Sequence, residues 1–116
     1  MPISPSFIPQ SRKLQRKLDP HGRLDYTIDW SEILNGSAIV ERDTTLSAES
    51  IAAGLQIDAE LTQGLETVVR FSIATEDQDD PAFDAPDGAE LAFKQTVEDD
   101  TGQIWEFSFS IPVVQQ

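Results

Sequence analysis

The 116-residue chain has no cysteine and a single histidine. Without cysteine there is no disulfide framework, no thiolate zinc site and no thiol nucleophile. One imidazole excludes a metal centre built from several histidines. Positive charge is scarce as well, with eight Lys and Arg against 21 Asp and Glu, a net −13. Nucleic acid and anionic membrane are held through Lys and Arg, so a body this acidic is expected to bind neither. No apolar run approaches the roughly 18 residues of a membrane-spanning helix. Met1–Gln10 contains three prolines and no apolar h-region, so it does not read as a secretory signal. There is no internal repeat, and the length suits one domain.

What is present is unevenly distributed. Residues 1–23 hold five of the eight bases and one acid, a net +4, whereas residues 24–116 hold three bases and twenty acids, a net −17. Pro2, Pro5 and Pro9 fix φ and remove backbone donors, favouring extended structure. Leu14 and Leu18 are four apart, the spacing of one helical turn, but the stretch Ser11–Leu18 is too short for a stable isolated helix. Asp19-Pro20-His21-Gly22 reads as a turn. These features predict a Pro-rich basic arm over 1–23 and an acidic domain over 24–116.

From residue 24 the apolar period is two. Leu24, Tyr26, Ile28 and Trp30 fall on one face, Asp25, Thr27 and Asp29 on the other. Strands are predicted over Ala38–Leu46, around Leu55–Leu61, over Thr67–Thr75 and Leu91–Glu98, and over Gln103–Val114, where Pro112 marks an end or an edge. Asp99-Asp100-Thr101-Gly102 is a hairpin turn, and Glu76–Ala89 a Pro/Gly/Asp-rich loop. With six to seven short strands and no long helix, the expected fold is all-β: an immunoglobulin-like antiparallel β-sandwich with an extended N-terminal arm. Its core would hold Tyr26, Trp30, Phe71, Phe93, Trp105, Phe107 and Phe109.

Four groups of residues bear on chemistry. Asp25 and Asp29, at i and i+4 of a strand, are about 13 Å apart by the standard rise, too far for a glycosidase pair. The acidic loop Glu76, Asp77, Asp79, Asp80, Asp84 and Asp87 has oxygen ligands for Ca²⁺ but not the EF-hand spacing, and reads as a solvated or partner-facing insertion. His21 lies in a turn, and the chain has no Gly-x-Ser-x-Gly elbow, so no catalytic residue, cofactor or metal site is expected and the chain does not read as an enzyme. The bases Arg12, Lys13, Arg16 and Lys17 have no interleaved aromatics for stacking on nucleic acid. They are read as protein-docking residues, with the acidic surface of a neighbouring copy as their complement.

Lys17-Leu18-Asp19-Pro20 followed by Leu24-Asp25-Tyr26-Thr27-Ile28-Asp29-Trp30-Ser31 resembles the opening of a family of small tailed-phage proteins, the phage fiber-tail adaptors. Phe93–Val113, with Thr96, Thr101-Gly102 and Phe107-Ser108-Phe109-Ser110-Ile111, resembles that family's final hairpin. The chain departs from the pattern at Ile33-Leu34, where the family carries a Trp-Leu pair, in a longer loop over Glu76–Ala89, and in residues 1–16, an unmatched extension.

The resemblance implies a non-enzymatic virion component of the tail or neck that links other virion proteins, such as fibers, to the tail. It implies several copies, as a homo-oligomer or symmetric ring. The expected partner-binding residues are Phe7, Ile8, Arg12, Lys13, Leu14, Arg16, Lys17, Asp25 and Asp29. A rival reading is a glycan- or ligand-binding sandwich module with Ca²⁺ in the acidic loop.

Overall fold

The computed structural model describes residues 11–14, 16–84, 86 and 88–115, with backbone only for 11–13. Phe7 and Ile8 therefore lie outside the described residues. Among the described residues, seven strands form two sheets. β1 (Ser11–Lys13), β3 (Ile39–Leu46), β6 (Ala89–Asp99) and β7 (Ile104–Val113) make one, in the order β1-β7-β6-β3. β2 (Arg23–Asp29), β4 (Leu55–Gln63) and β5 (Glu66–Ile73) make the other, in the order β2-β5-β4. Each sheet is three antiparallel strands, and β1 is added to the first in parallel with β7. The chain is thus an all-β sandwich, as the alternation predicts. Two short helices, α1 (Ser31–Leu34) and α2 (Ala48–Ala52), connect strands.

Alternation explains the strands. In β2, Tyr26 and Ile28 are buried while Asp25, Thr27 and Asp29 face solvent. In β6, Leu91, Phe93, Gln95, Val97 and Asp99 all point inward. The inner faces meet through aromatic rings. Phe71 of β5 lies 4.9 Å from Phe93 of β6 and 5.8 Å from Tyr26, and Phe93 stacks on Phe109 at 5.3 Å. Trp30 packs against Phe107 and Phe109. Such pairs contribute about 0.5–1.5 kcal/mol each beyond the apolar area they bury.

The structure corrects the reading in two places. Trp105, expected in the core, is half-buried at its rim and donates its indole N–H to Asp99 at 3.4 Å. Asp99 opens the expected hairpin turn, its carbonyl accepting the Gly102 N–H at 3.1 Å, and is also the last residue of β6 and only 2% exposed. The loop after β5 is not simply a solvated insertion. It contains two 3-10 turns, Thr75–Asp77 and Pro81–Phe83, and inserts Phe83 into the core at 1% exposure.

Candidate functional site

The expected arm does not stand away from the sandwich over its described part. The pairing Ser11↔Ser108, Arg12↔Phe109 and Lys13↔Ser110 lays β1 along the edge of β7. The Leu14 N–H then donates to the Ser110 carbonyl and the Leu18 N–H to the Pro112 carbonyl, both at 2.8 Å, and the Val114 N–H returns a bond to Leu18 at 3.0 Å. Leu18 is fully buried, and Leu14 packs half-buried against the same core. Leu14, expected to face a partner, instead faces its own domain, because a sheet edge offers it backbone and apolar contacts together. Leu14 and Leu18, one helical turn apart in sequence, are both bonded to β7 through their N–H groups rather than within a turn of helix.

Arg16 and Lys17, just before Leu18, are exposed. The Arg16 carbonyl accepts the Tyr26 hydroxyl at 2.8 Å. Burial pushes the Tyr26 phenol up to about 12, so the hydroxyl stays a donor across the ordinary pH range. The turn that follows is built by Asp19, whose carboxylate accepts the His21 N–H at 2.9 Å and whose carbonyl accepts the Gly22 N–H at 2.8 Å. The His21 imidazole reaches Asp79 at 3.2 Å, pinning the turn to the loop after β5.

Asp25 and Asp29 both serve local structure. Asp25 takes a two-point grip from Arg70 on the adjacent strand, at 2.7 and 3.2 Å, and this hydrogen-bonded guanidinium lowers its pKa. Arg16, Arg23, Leu24, Asp25 and Arg70 line a shallow cavity of about 300 Å³ there. Asp29 accepts the Ser31 N–H at 2.9 Å, which lowers its pKa and starts α1. Immediately after Asp29, Trp30 is fully buried, and its indole N–H is shared by Gln95 Oε1 at 3.0 Å and Thr67 Oγ1 at 3.2 Å.

Of the remaining expected residues, Arg12 and Lys13 are placed only by their backbone on β7. In the acidic loop, Asp80 caps the Ala82 N–H at 2.9 Å, Asp79 meets His21, and Asp87 lies outside the described residues. Among the described residues no three carboxylates or imidazoles converge as a metal-ligand set. Sequence reasoning missed Tyr26 as the tie to the lead and Gln95 as the core's polar partner. The second was open to inspection: Gln95 occupies an inward position between Phe93 and Val97, where a polar side chain needs a partner.

No protein-family model matches the chain, and no curated protein matches it.

Proposed function

We propose that this chain is a non-enzymatic structural adaptor of a tailed-phage particle, present in several copies at the tail or neck and joining one virion protein to another. The observation that supports this reading is the use made of the Leu-Asp-Tyr…Asp-Trp-Ser residues. Tyr26 ties down the lead segment, Asp25 crosslinks β2 to β5, Asp29 starts α1, and Trp30 joins the two sheets. The segment that most resembles the adaptor family therefore stiffens the body and anchors the lead to it at Arg16. A connector needs that property: a stiff body with its lead held against it.

The exposed side chains supply the contacts. Arg16 and Lys17 lie on the surface of a chain whose body is strongly anionic, which suits attraction between copies or to an acidic virion protein. Free monomers repel one another through their acidic bodies, and docking the basic lead on a neighbour relieves part of that repulsion. Exposed pairs of this kind are screened over about 8 Å at physiological ionic strength, so incorporation should weaken as salt rises.

The test is direct. Purified particles from a host that carries the gene are examined by quantitative mass spectrometry, with the variant Arg16→Ser/Lys17→Ser in parallel. The full chain is expected at a fixed ratio to a tail or neck protein, with less of the charge-neutralised one. A particle without the chain would overturn the reading. Its gene is expected among those for portal, tail or fiber proteins.

A further inference from the structure

We propose that the outer face of β3, β6 and β7 is a docking site for a second copy of this chain, which enters it with the exposed bases Arg16 and Lys17. The contact deepens the adaptor reading by naming what joins neighbouring copies, and it rests on that reading for there being several copies to join.

The site begins with a pairing that the fold does not need. Glu41 of β3 and Glu98 of β6 are direct cross-strand partners. Like charges directly opposite one another weaken a sheet, and proteins retain such local conflicts chiefly at functional sites. Glu98 is in turn the partner of Ile104 on β7, and Asp43 lies two positions from Glu41 on the same face. Glu41, Asp43, Glu98 and Ile104, with Thr96, line a groove of about 390 Å³. Arg42 also borders it, but its guanidinium is turned to β4, donating to Thr62 at 2.8 Å and standing 3.6 Å from Glu60. Among the described residues, no base stands within ion-pair distance of Glu41, Asp43 or Glu98. Ile104, 66% exposed, adds an apolar wall. Carboxylates beside an apolar side chain suit a long basic one, whose charged head meets the acids while its methylene stem lies on Ile104.

The complementary bases belong to this chain but lie at its other end. Arg23, Arg42, Arg70 and Lys94 pair with Asp58, Glu60, Asp25 and Glu106. Among the described residues, Arg16 and Lys17 have no carboxylate within ion-pair distance, and both are exposed. Their place is fixed by Leu18, whose N–H is bonded to the Pro112 carbonyl. Pro112 and Ile104 are eight positions apart on β7, about 26 Å along the strand. That is several side-chain lengths, so Arg16 and Lys17 do not reach the groove of their own chain. Arg12 and Lys13 are paired at Phe109 and Ser110, five and six positions from Ile104, and residues 1–10 contain no Lys or Arg. The same two bases of a second copy arrive from outside and meet no such limit. The contact is heterologous, the basic end of each copy on the acidic end of the next, and contacts of this kind close into rings or run on as filaments.

Charge reversal tests the contact in solution. Glu41→Lys/Glu98→Lys turns the groove basic, and Arg16→Glu/Lys17→Glu turns the docking bases acidic. At high protein concentration in physiological salt, sedimentation velocity is expected to show association of the wild type. Either variant alone should associate more weakly, on the order of ten-fold. Mixing the two should restore association, because each supplies the charge that the other has lost. Glu98→Gln separates docking from folding. It removes the cross-strand repulsion, so the melting temperature should hold or rise while association weakens. A wild type that stays monomeric, a mixture no more associated than its parents, or a Glu98→Gln chain that associates like wild type would each overturn the proposal. So would association that persists in both reversed variants and disappears only when residues 1–10 are deleted. Restored association in the mixture by a chain absent from particles would sink the adaptor reading and leave the contact standing. A Glu41→Lys/Glu98→Lys chain incorporated into particles at the wild-type ratio would do the reverse.

Discussion

Trp30 and Gln95 approach from opposite sheets and share a hydrogen bond of 3.0 Å in the centre of the sandwich, both fully buried. Thr67 completes the contact by donating its hydroxyl to the same Gln95 oxygen at 2.6 Å, and the Gln95 amide passes the chain on to Thr44 at 3.1 Å and Thr44 to Glu60 at 2.6 Å. Removing Gln95 leaves Trp30 and Thr67, both fully buried, without their partner and away from water. Gln95→Leu keeps most of the volume but leaves the Thr67 hydroxyl without its acceptor, and should cost about 1–3 kcal/mol. Gln95→Ala adds a cavity and should cost more than Gln95→Leu in urea unfolding. Equal midpoints for wild type and Gln95→Leu would mean that the network carries no net stability.

Asp99 is the buried acid of the β6–β7 hairpin. One carboxylate oxygen accepts the Thr101 hydroxyl at 2.6 Å, the Gln103 N–H at 2.9 Å and the Thr101 N–H at 3.0 Å. These bonds, the Thr101 hydroxyl foremost, hold its pKa below the ordinary 3.8. A lowered folded value means that its stabilisation is fully present above 3.8 and is lost as pH falls through that lower value. Asp99→Asn removes the titration, so melting temperature should fall less steeply with acid in the variant than in wild type. Parallel acid limbs would refute the assignment.

Tyr26→Phe deletes the bond to the Arg16 carbonyl and little else. It should cost about 1 kcal/mol in global stability. Tryptic cleavage after Arg16 and Lys17 should speed up by more than the global change allows, because the loop opens before the sandwich does. The chain has one tyrosine, so its phenolate absorbance can be read directly. Its folded pKa is raised to about 12 from 10.0, so its stabilisation is present below 10.0 and is lost as pH rises through about 12.

Truncation separates the lead into two parts. Deleting residues 1–10 keeps β1, Leu14 and Leu18, and the melting temperature should hold. Deleting residues 1–18 removes a fully buried leucine and should cost at least the 2–5 kcal/mol typical of a large-to-small core change. If both truncations melt alike, Leu18 is not part of the core.

Gly88 sits at φ +61 with its missing Cβ directed into the Val113 carbonyl. Gly102 has a positive φ too, +87, but open space around it. Alanine at Gly102 should cost about 1–3 kcal/mol for the backbone alone, and alanine at Gly88 clearly more, by thermal denaturation.

The sandwich was legible because alternation is a local signal: Tyr26, Ile28, Phe71, Phe93 and Phe109 announce their face by parity alone. Phe83 was not, since a lone aromatic among Asp and Pro has no period, and its burial depends on the loop folding back to the C-terminal end, where the Gln115 N–H bonds its carbonyl at 2.9 Å. The lead was misjudged for a related reason. Its charges suggested docking on a neighbouring copy, but over its described part its place is set by the edge of β7, nearly a hundred residues away in sequence. Asp25 and Asp29 were correctly read as strand-face residues. Their partners Arg70 and Ser31 followed from register and turn geometry, which composition does not reveal.

β1 begins the described chain, β7 closes its last hairpin, and the two run the same way. Tension applied between residues 11 and 115 therefore drags these strands past each other along their length. Their backbone bonds are loaded together rather than opened in turn, as they would be in a peeled hairpin. Forced unfolding is governed by the height of the unfolding barrier rather than by equilibrium stability. A body pulled by its two ends would accordingly grip hardest in the direction of the pull, and this clasp would outlast what its few hydrogen bonds contribute at rest.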